Sequence, residues 1–289
     1  MIRFEDVSFS YDLTPDRAVL QDVSFEAAAG SLTLITGPSG AGKSTLCNLI
    51  AGYAPHQFTG QLDGKVIVAD RNVADQSIGE LAQDVGMVFE NPFDQLTGAT
   101  RTLFDEVAFG LENRGLGPED ISTRVLDSLR LVGLEEIYER HPRQLSGGQS
   151  QRLAIATVLA VRPKILVLDE PSSQLDPVGS DHVAGIVGDL LREGLTLVVV
   201  SHDLDRWLAL ADRLICLDGG RVHASGSPPE VMPDLLASGL IVQPPPGRIW
   251  HRLIQEGYLS ADTDFPVKLD DLRVCLAEFV NWTSVDDRN

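Results

Sequence analysis

Cysteine is scarce. Cys47, Cys216 and Cys275 are odd in number, far apart and without the paired spacing of a metal site. That excludes a disulfide framework and fits reduced, packed thiols of a cytosolic protein. Long apolar runs are missing too: no stretch approaches the ~18 residues of a membrane span, and Met1-Ile2-Arg3-Phe4-Glu5-Asp6 is no signal peptide. A soluble chain is expected, one that works at a membrane only by docking to something that spans it. Basic charge is in deficit, with 23 Lys and Arg against 42 Asp and Glu and a net charge of −19. Without a local basic stripe, this argues against a nucleic-acid partner. Low-complexity tracts and repeats are absent. What remains is 43% apolar over 289 residues, enough for one large domain or for one domain plus an extension.

The densest chemical signal is Gly37-Pro38-Ser39-Gly40-Ala41-Gly42-Lys43-Ser44-Thr45, with the spacing G-x-x-x-x-G-K-S intact. It follows the apolar run Leu32–Thr36, read as a buried strand, and precedes Leu46–Ile50, read as a helix start. Gly40 and Gly42 lack Cβ, so the backbone can curl and aim successive N–H groups at phosphate oxygens. The helix adds its positive end, Lys43 reaches the β/γ-phosphates, and Ser44 offers a hydroxyl to Mg²⁺. A nucleoside triphosphate site is expected.

Around it the hydrophobic period changes twice. Val7–Tyr11 and Val23–Ala27 alternate as half-buried strands do, and Asp63-Gly64 is a hairpin turn signal before Val66-Ile67-Val68. These predict a small antiparallel sheet beside the P-loop core. Val85–Phe89 is another strand. Leu103, Phe104, Val107, Ala108 and Leu111 then take helical spacing, as do Ile121, Val125, Leu126 and Leu129, giving a helical insert of roughly 70 residues at about 92–163. Ile165–Leu168 and Leu197–Val200 are continuous apolar runs of the parallel-strand kind. Leu214–Leu217, the turn Asp218-Gly219-Gly220 and Arg221-Val222 predict a closing hairpin. Residues 1–227 are expected to form one α/β domain. Residues 228–289 are expected to form a C-terminal extension with its own apolar set: Ile249, Leu253, Leu259, Leu272, Leu276 and Phe279.

Two more constellations carry chemistry. Ile165–Leu168 ends on Asp169-Glu170. In P-loop enzymes the first carboxylate holds Mg²⁺ and the acid beyond it can polarise an attacking water. Leu145-Ser146-Gly147-Gly148-Gln149 precedes a helical stretch, Ser150–Val161. Ser-Gly-Gly there reads either as a plain helix cap or as a second anion-binding element.

Taken together and in order, Gly37–Thr45, Leu145–Arg152, Ile165–Glu170, Ser173–Asp176 and Ser201-His202-Asp203 resemble the motif set of an ATP-binding cassette (ABC) ATPase. The likeness spans roughly Ile2–Ser227. It implies a P-loop core with an antiparallel β subdomain and an inserted helical subdomain. By that resemblance Tyr11 would stack on adenine, Gly37–Thr45 would wrap the phosphates, and Ser44, Asp169 and Glu90 would stand at Mg²⁺. Glu170 would be the general base and His202 its bridge to the γ-phosphate. Ser146, Gly147, Gly148 and Gln149 would grip ATP bound to a second subunit, and Asp176 would carry communication across that seam. Most members carry Gln where this chain has Glu90, which adds negative charge beside the triphosphate.

Phe89–Leu96 and Thr102–Asn113 are similar to the energy-coupling factor (ECF) branch, with its N-P-x-D-Q and D-V-A-F-G-L-E-N patterns. That resemblance implies a peripheral subunit on the cytoplasmic face of the cell membrane, driving uptake of vitamins or of nickel or cobalt ions. Its partners would be a second ATPase, a transmembrane coupling protein and a substrate-binding membrane protein. Glu90 and Asp94 would meet basic groups of the coupling protein, or else be solvated loop acids. The extension would contact the dimer partner. An ATPase of a conventional ABC importer or exporter is the nearest alternative, and a non-transport ABC protein a more distant one.

Overall fold

The computed structural model describes residues 1–241 and 245–260, together with 263, 265–267, 270–274 and 276. Alternating polarity builds the first sheet. β1 (Ile2–Tyr11) and β2 (Leu20–Ala27) pair antiparallel, Phe4 opposite Phe25 with their rings stacked at 4.5 Å. β4 (Gly60–Val68) and β5 (Arg71–Asn72) complete the order β2-β1-β4-β5. Here the expected turn fails: β4 runs straight through Asp63-Gly64. Gly64, at φ +83, sits where the β1–β4 register shifts, and a Cβ there would lie 2.4 Å from the Asp6 carbonyl oxygen. The chain reverses instead at Ala69-Asp70, both left-handed at φ 49 and 63.

The second sheet joins β3 (Leu32–Thr36), β6 (Val85–Val88), β7 (Ile165–Asp169), β8 (Thr196–Val200), β9 (Arg213–Asp218) and β10 (Arg221–Gly226). Its order is β10-β9-β3-β8-β7-β6, all neighbours parallel except the β9–β10 hairpin. The strands between the edges are apolar on both faces because both are covered, and alternate residues feed separate cores. Leu34, Leu168 and Val199 join one cluster; Ile35, Val167 and Val200 join the other. Each such buried side chain contributes about 1.5–3 kcal/mol of transfer free energy.

One core packs the sheet against α1 (Lys43–Ala51) and the antiparallel sheet, with the short α2 (Tyr53–His56) and α3 (Ile78–Leu81) alongside. The other holds α4 (Leu103–Glu112), α5 (Pro118–Leu131) and α6 (Gly147–Ala160), packed pairwise, with α7 (Pro177–Arg192) and α8 (Leu204–Trp207). α6 begins at Gly147, earlier than the expected Ser150, because Ser146 caps it.

Among the described residues, apolar side chains of the extension join the main core. α9 (Pro228–Ser238) contacts β9 and β10, and Val231, Met232, Leu235, Trp250 and Phe265 join the helical-side core. In α10 (Pro245–Gln255), Ile249 is 43% exposed, while its neighbour Trp250 is buried edge-on to Phe265 at 5.5 Å. Leu272 is buried, and Phe279 and Cys275 lie outside the described residues. Cys47 and Cys216 are buried free thiols.

Candidate functional site: a phosphate cradle at the sheet's carboxyl edge

The P-loop joins the carboxyl end of β3 to α1, and its glycines have unequal tasks. Gly40 (φ +79) has open space where a Cβ would stand, so its requirement is conformational. Gly42 (φ +99) crowds Leu20, and Gly37 (φ +138) has the Leu217 carbonyl oxygen 2.0 Å from its ideal Cβ position. Gly37 is therefore a close-packing glycine, a constraint that comes from β9 and is invisible in the local motif. Lys43 donates from Nζ to the Gly37 and Pro38 carbonyls at 2.8 and 3.0 Å, which holds the ammonium under the loop. Burial lowers its pKa, with Glu170 and Asp169 acting the other way. Ser39, Gly40 and Ser44 are exposed, whereas Ala41, Gly42 and Thr45 are buried. Tyr11, at the end of β1, shares a 2.9 Å hydrogen bond between its hydroxyl and Thr45 Oγ1, and its ring meets Phe9 edge-on.

Neighbouring strand ends bring the acids here. Asp169 closes β7, hydrogen-bonded to Ser44, and its pKa is raised by burial, with a smaller push from Glu90. Glu170 follows in a left-handed conformation, φ 46, a strained geometry for a side chain of this kind. Its Oε2 accepts from the His202 backbone N–H at 3.3 Å, and Ser201 also hydrogen-bonds to it. Its Oε1 stands 3.2 Å from His202 Nε2 but is buried with no aligned hydrogen bond. Burial raises the Glu170 pKa to about 7, against the lowering by the His202 amide and Lys43. A carboxylate with one free lone-pair face and a pKa near neutrality is suited to take a proton from water. His202 is itself lowered, by desolvation and then by Lys43.

Ser146, Gly147, Gly148 and Gln149 lie elsewhere. They line a cavity of about 390 Å³ with Gln174, Leu175, Asp176, Gly179 and His182, and no P-loop residue reaches it. Ser146 Oγ accepts from the Gln149 amide at 3.3 Å and Gln149 Oε1 from the Ser146 amide at 3.0 Å, a reciprocal cap. The structure shows the cap, and the capped end of α6 opens onto this cavity. Asp176 caps α7, accepting from the Gly179 amide at 2.6 Å.

Gln95, read from sequence only as the last residue of the N-P-x-D-Q pattern, proves to be an anchor. Gln95 accepts from the Phe89 amide at 3.4 Å and donates from Nε2 to Ala154 O at 2.9 Å and Thr157 Oγ1 at 3.0 Å. It ties the loop carrying exposed Glu90 and Asp94 to the middle of α6. A glutamine two residues past an Asn-Pro-Phe turn carries no local sign of partners so far along the chain.

A glycine cradle at the carboxyl end of a parallel strand, with a Lys inside it and two carboxylates on the next strand but one, defines a P-loop nucleotide hydrolase. The comparisons narrow this. The ABC transporter family model matches residues 20–173. A Pyrococcus abyssi protein, whose name goes no further than ABC transporter ATP-binding protein, is 44% identical over 232 residues, 80% of this chain and 82% of that one. The energy-coupling factor transporter ATP-binding protein EcfA1 of Bacillus licheniformis is 40% identical over 244 residues, covering 83% and 84%. Among solved structures, cbiO1 from Clostridium perfringens, part of the ABC transporter complex cbiONQ, superposes with a TM-score of 0.72 at 28% identity, covering 89% of this chain and 97% of that one. The dimeric ATP-binding cassette MJ0796, bound to ADP and Pi, gives 0.69 at 28% identity, covering 78% and 98%. The chain belongs to the ABC transporter family, as an ATP-binding and ATP-hydrolysing subunit. Among the described residues no helix is long and apolar enough to cross a membrane.

Proposed function

We propose that this subunit powers an energy-coupling factor type importer of vitamins or transition-metal ions, by closing as a dimer on ATP and opening after hydrolysis. The observation that carries the reading is the loop after β6. It presents Glu90, Phe93 and Asp94 outward, Phe93 being 65% exposed, while Gln95 anchors it inward on α6. Exposed Phe109 on α4 adds a second aromatic. An aromatic and acidic surface suits a basic, partly apolar segment of a transmembrane partner. The EcfA1 and cbiO1 relatives favour this branch.

In this reading ATP lies in the Gly37–Thr45 cradle with Tyr11 against its base. Ser44 and Asp169, hydrogen-bonded to each other and both oxygen donors, fit Mg²⁺, with Glu90 as a further oxygen nearby. When bound, the ion would supply charge neutralisation for the phosphates. Glu170 is the base, His202 its partner, and the Ser146–Gln149 cap grips the nucleotide of a second subunit, with Asp176 beside it. The extension contacts that second subunit. The subunit works on the cytoplasmic face of the membrane. Pull-down from solubilised membranes tests this: small integral-membrane partners are expected, and Asp94→Lys is expected to weaken their recovery. Recovery of a conventional ABC permease would assign the chain to that class instead.

A further inference from the structure

At the opposite end of the sheet from the cradle lies a cavity of about 700 Å³, within the size range of small-molecule sites. Its floor is the amino-terminal ends of β7 and β8 and the turn before β3; its wall is α5. The central strands are five residues long, so it lies about 17 Å from the phosphate cradle at about 3.3 Å per residue.

The wall is one complete helical stripe. Arg124, Asp127, Ser128 and Leu131 follow the i, i+3, i+4, i+7 spacing and all line the cavity. Leu131 is 44% exposed, although Val125 and Leu129 of α5, and Val132 just past its end, are buried in the core. Ser128 is 4% exposed and lines the cavity.

The charges say which kind of ligand the cavity suits. Asp127 is engaged by Arg130 at 3.2 Å, and Lys164 by Asp84 at 2.8 Å. Arg124 and Arg162 both line the cavity, and neither has an ion pair among the described residues, in a chain where acids outnumber bases 42 to 23. Arg162 is held left-handed at φ 55, a conformation with a cost that places its side chain after the end of α6. The remaining acids, Asp70 and Glu193, are exposed, as is Arg162, while Arg124 is half-buried. Leu131, Leu159 and Leu190 supply an apolar surface.

We propose that this cavity is a binding site for a small amphipathic anion: an apolar body seated between α5 and the foot of the sheet, with one carboxylate or phosphate between Arg124 and Arg162. Guanidinium pairs suit that head by bidentate hydrogen bonding. The site stands apart from the nucleotide cradle, so the inference does not depend on which transporter the subunit serves.

Calorimetric titration of the full-length chain with decanoate tests it, with decylamine and inorganic phosphate as contrasting probes. Saturable one-to-one decanoate binding is expected, weakened about tenfold by Arg124→Glu and by Arg162→Glu. Leu131→Trp, which fills the cavity from a half-exposed position, is expected to abolish it. All three variants should bind MgATP as the parent does, which reports an intact fold. Decylamine binding as tight as decanoate would overturn the anion assignment. Phosphate binding as tight as decanoate would overturn the apolar body. Decanoate binding unaltered in the three variants would remove the site altogether.

Discussion

Glu170 and His202 face each other at 3.2 Å across two adjacent strand ends, yet the carboxylate oxygen nearest the imidazole has no aligned hydrogen bond. The pair leaves one buried acceptor free on a group whose pKa is raised by burial to about 7. That relationship sets the first expectations for activity.

A base acts only when ionised, so kcat/KM for ATP should rise with pH through a midpoint near 7, the value set on Glu170. Glu170→Gln should slow turnover by ~10²–10⁴ while ATP still binds. A pH–rate series on both proteins checks this. A parent profile flat from pH 6 to about 8 would remove Glu170 as the base.

The same group bears on stability with a definite sign. Its folded pKa is above the unfolded value of 4.5, so the folded state binds the proton more tightly. Its contribution is fully present below pH 4.5 and is lost as pH rises through about 7. Glu170→Gln should therefore melt later than the parent at pH 8, by about 2 kcal/mol at most, with the gain shrinking toward pH 5. Paired melts at the two pH values measure it.

Two P-loop glycines should respond differently to the same substitution. Gly40→Ala meets no neighbour and costs about 1–2 kcal/mol through backbone strain. Gly37→Ala drives a methyl into the Leu217 carbonyl and should cost about 3 kcal/mol or more. Urea unfolding of the two variants ranks them, and equal costs would contradict the packing described.

Ser146 can be tested for its two uses separately. Ser146→Ala removes the α6 cap and should lose about 1 kcal/mol. Ser146→Asp restores a capping oxygen but puts a negative charge where a partner's γ-phosphate would arrive. It should keep stability and lose ATP-dependent dimerisation, read by size-exclusion chromatography. If Ser146→Asp still pairs on ATP, the clamp role is wrong.

Asp84 is a buried anchor: its carboxylate binds Arg71 and Lys164, and its carbonyl accepts from the Lys164 and Ile165 amides. Asp84→Asn leaves cations that can turn to water, so the loss should be moderate, about 1–2 kcal/mol. Chemical denaturation reads it, and it should shrink little at high salt because the acid is buried.

How far the residues announced all this depends on the range of the force at work. The phosphate cradle was legible because its glycines, Lys43 and Ser44 act on one another within a single turn. The parallel strands were legible because burial on both faces leaves an unbroken apolar run. Asp63-Gly64 misled because a left-handed glycine serves a bulge as well as a hairpin, and only the pairing with β1 decides between them. Ala69-Asp70 turns the chain without glycine or proline, forced by the strands on either side. Trp250 replaced Ile249 in the core because the extension meets the main core, whose position no local period encodes. Gln95 and the Leu217 contact at Gly37 are long-range for the same reason.

The place of β3 in the sheet also orders events during synthesis. Its neighbours are β8 and β9, and the Leu217 carbonyl packs against Gly37. The ribosome releases the nucleotide-holding loop long before either flank exists, so it emerges as an unpaired, apolar strand that must wait. A cradle whose Gly37 is seated against the Leu217 carbonyl is expected to hold ATP only once the closing hairpin has joined the sheet.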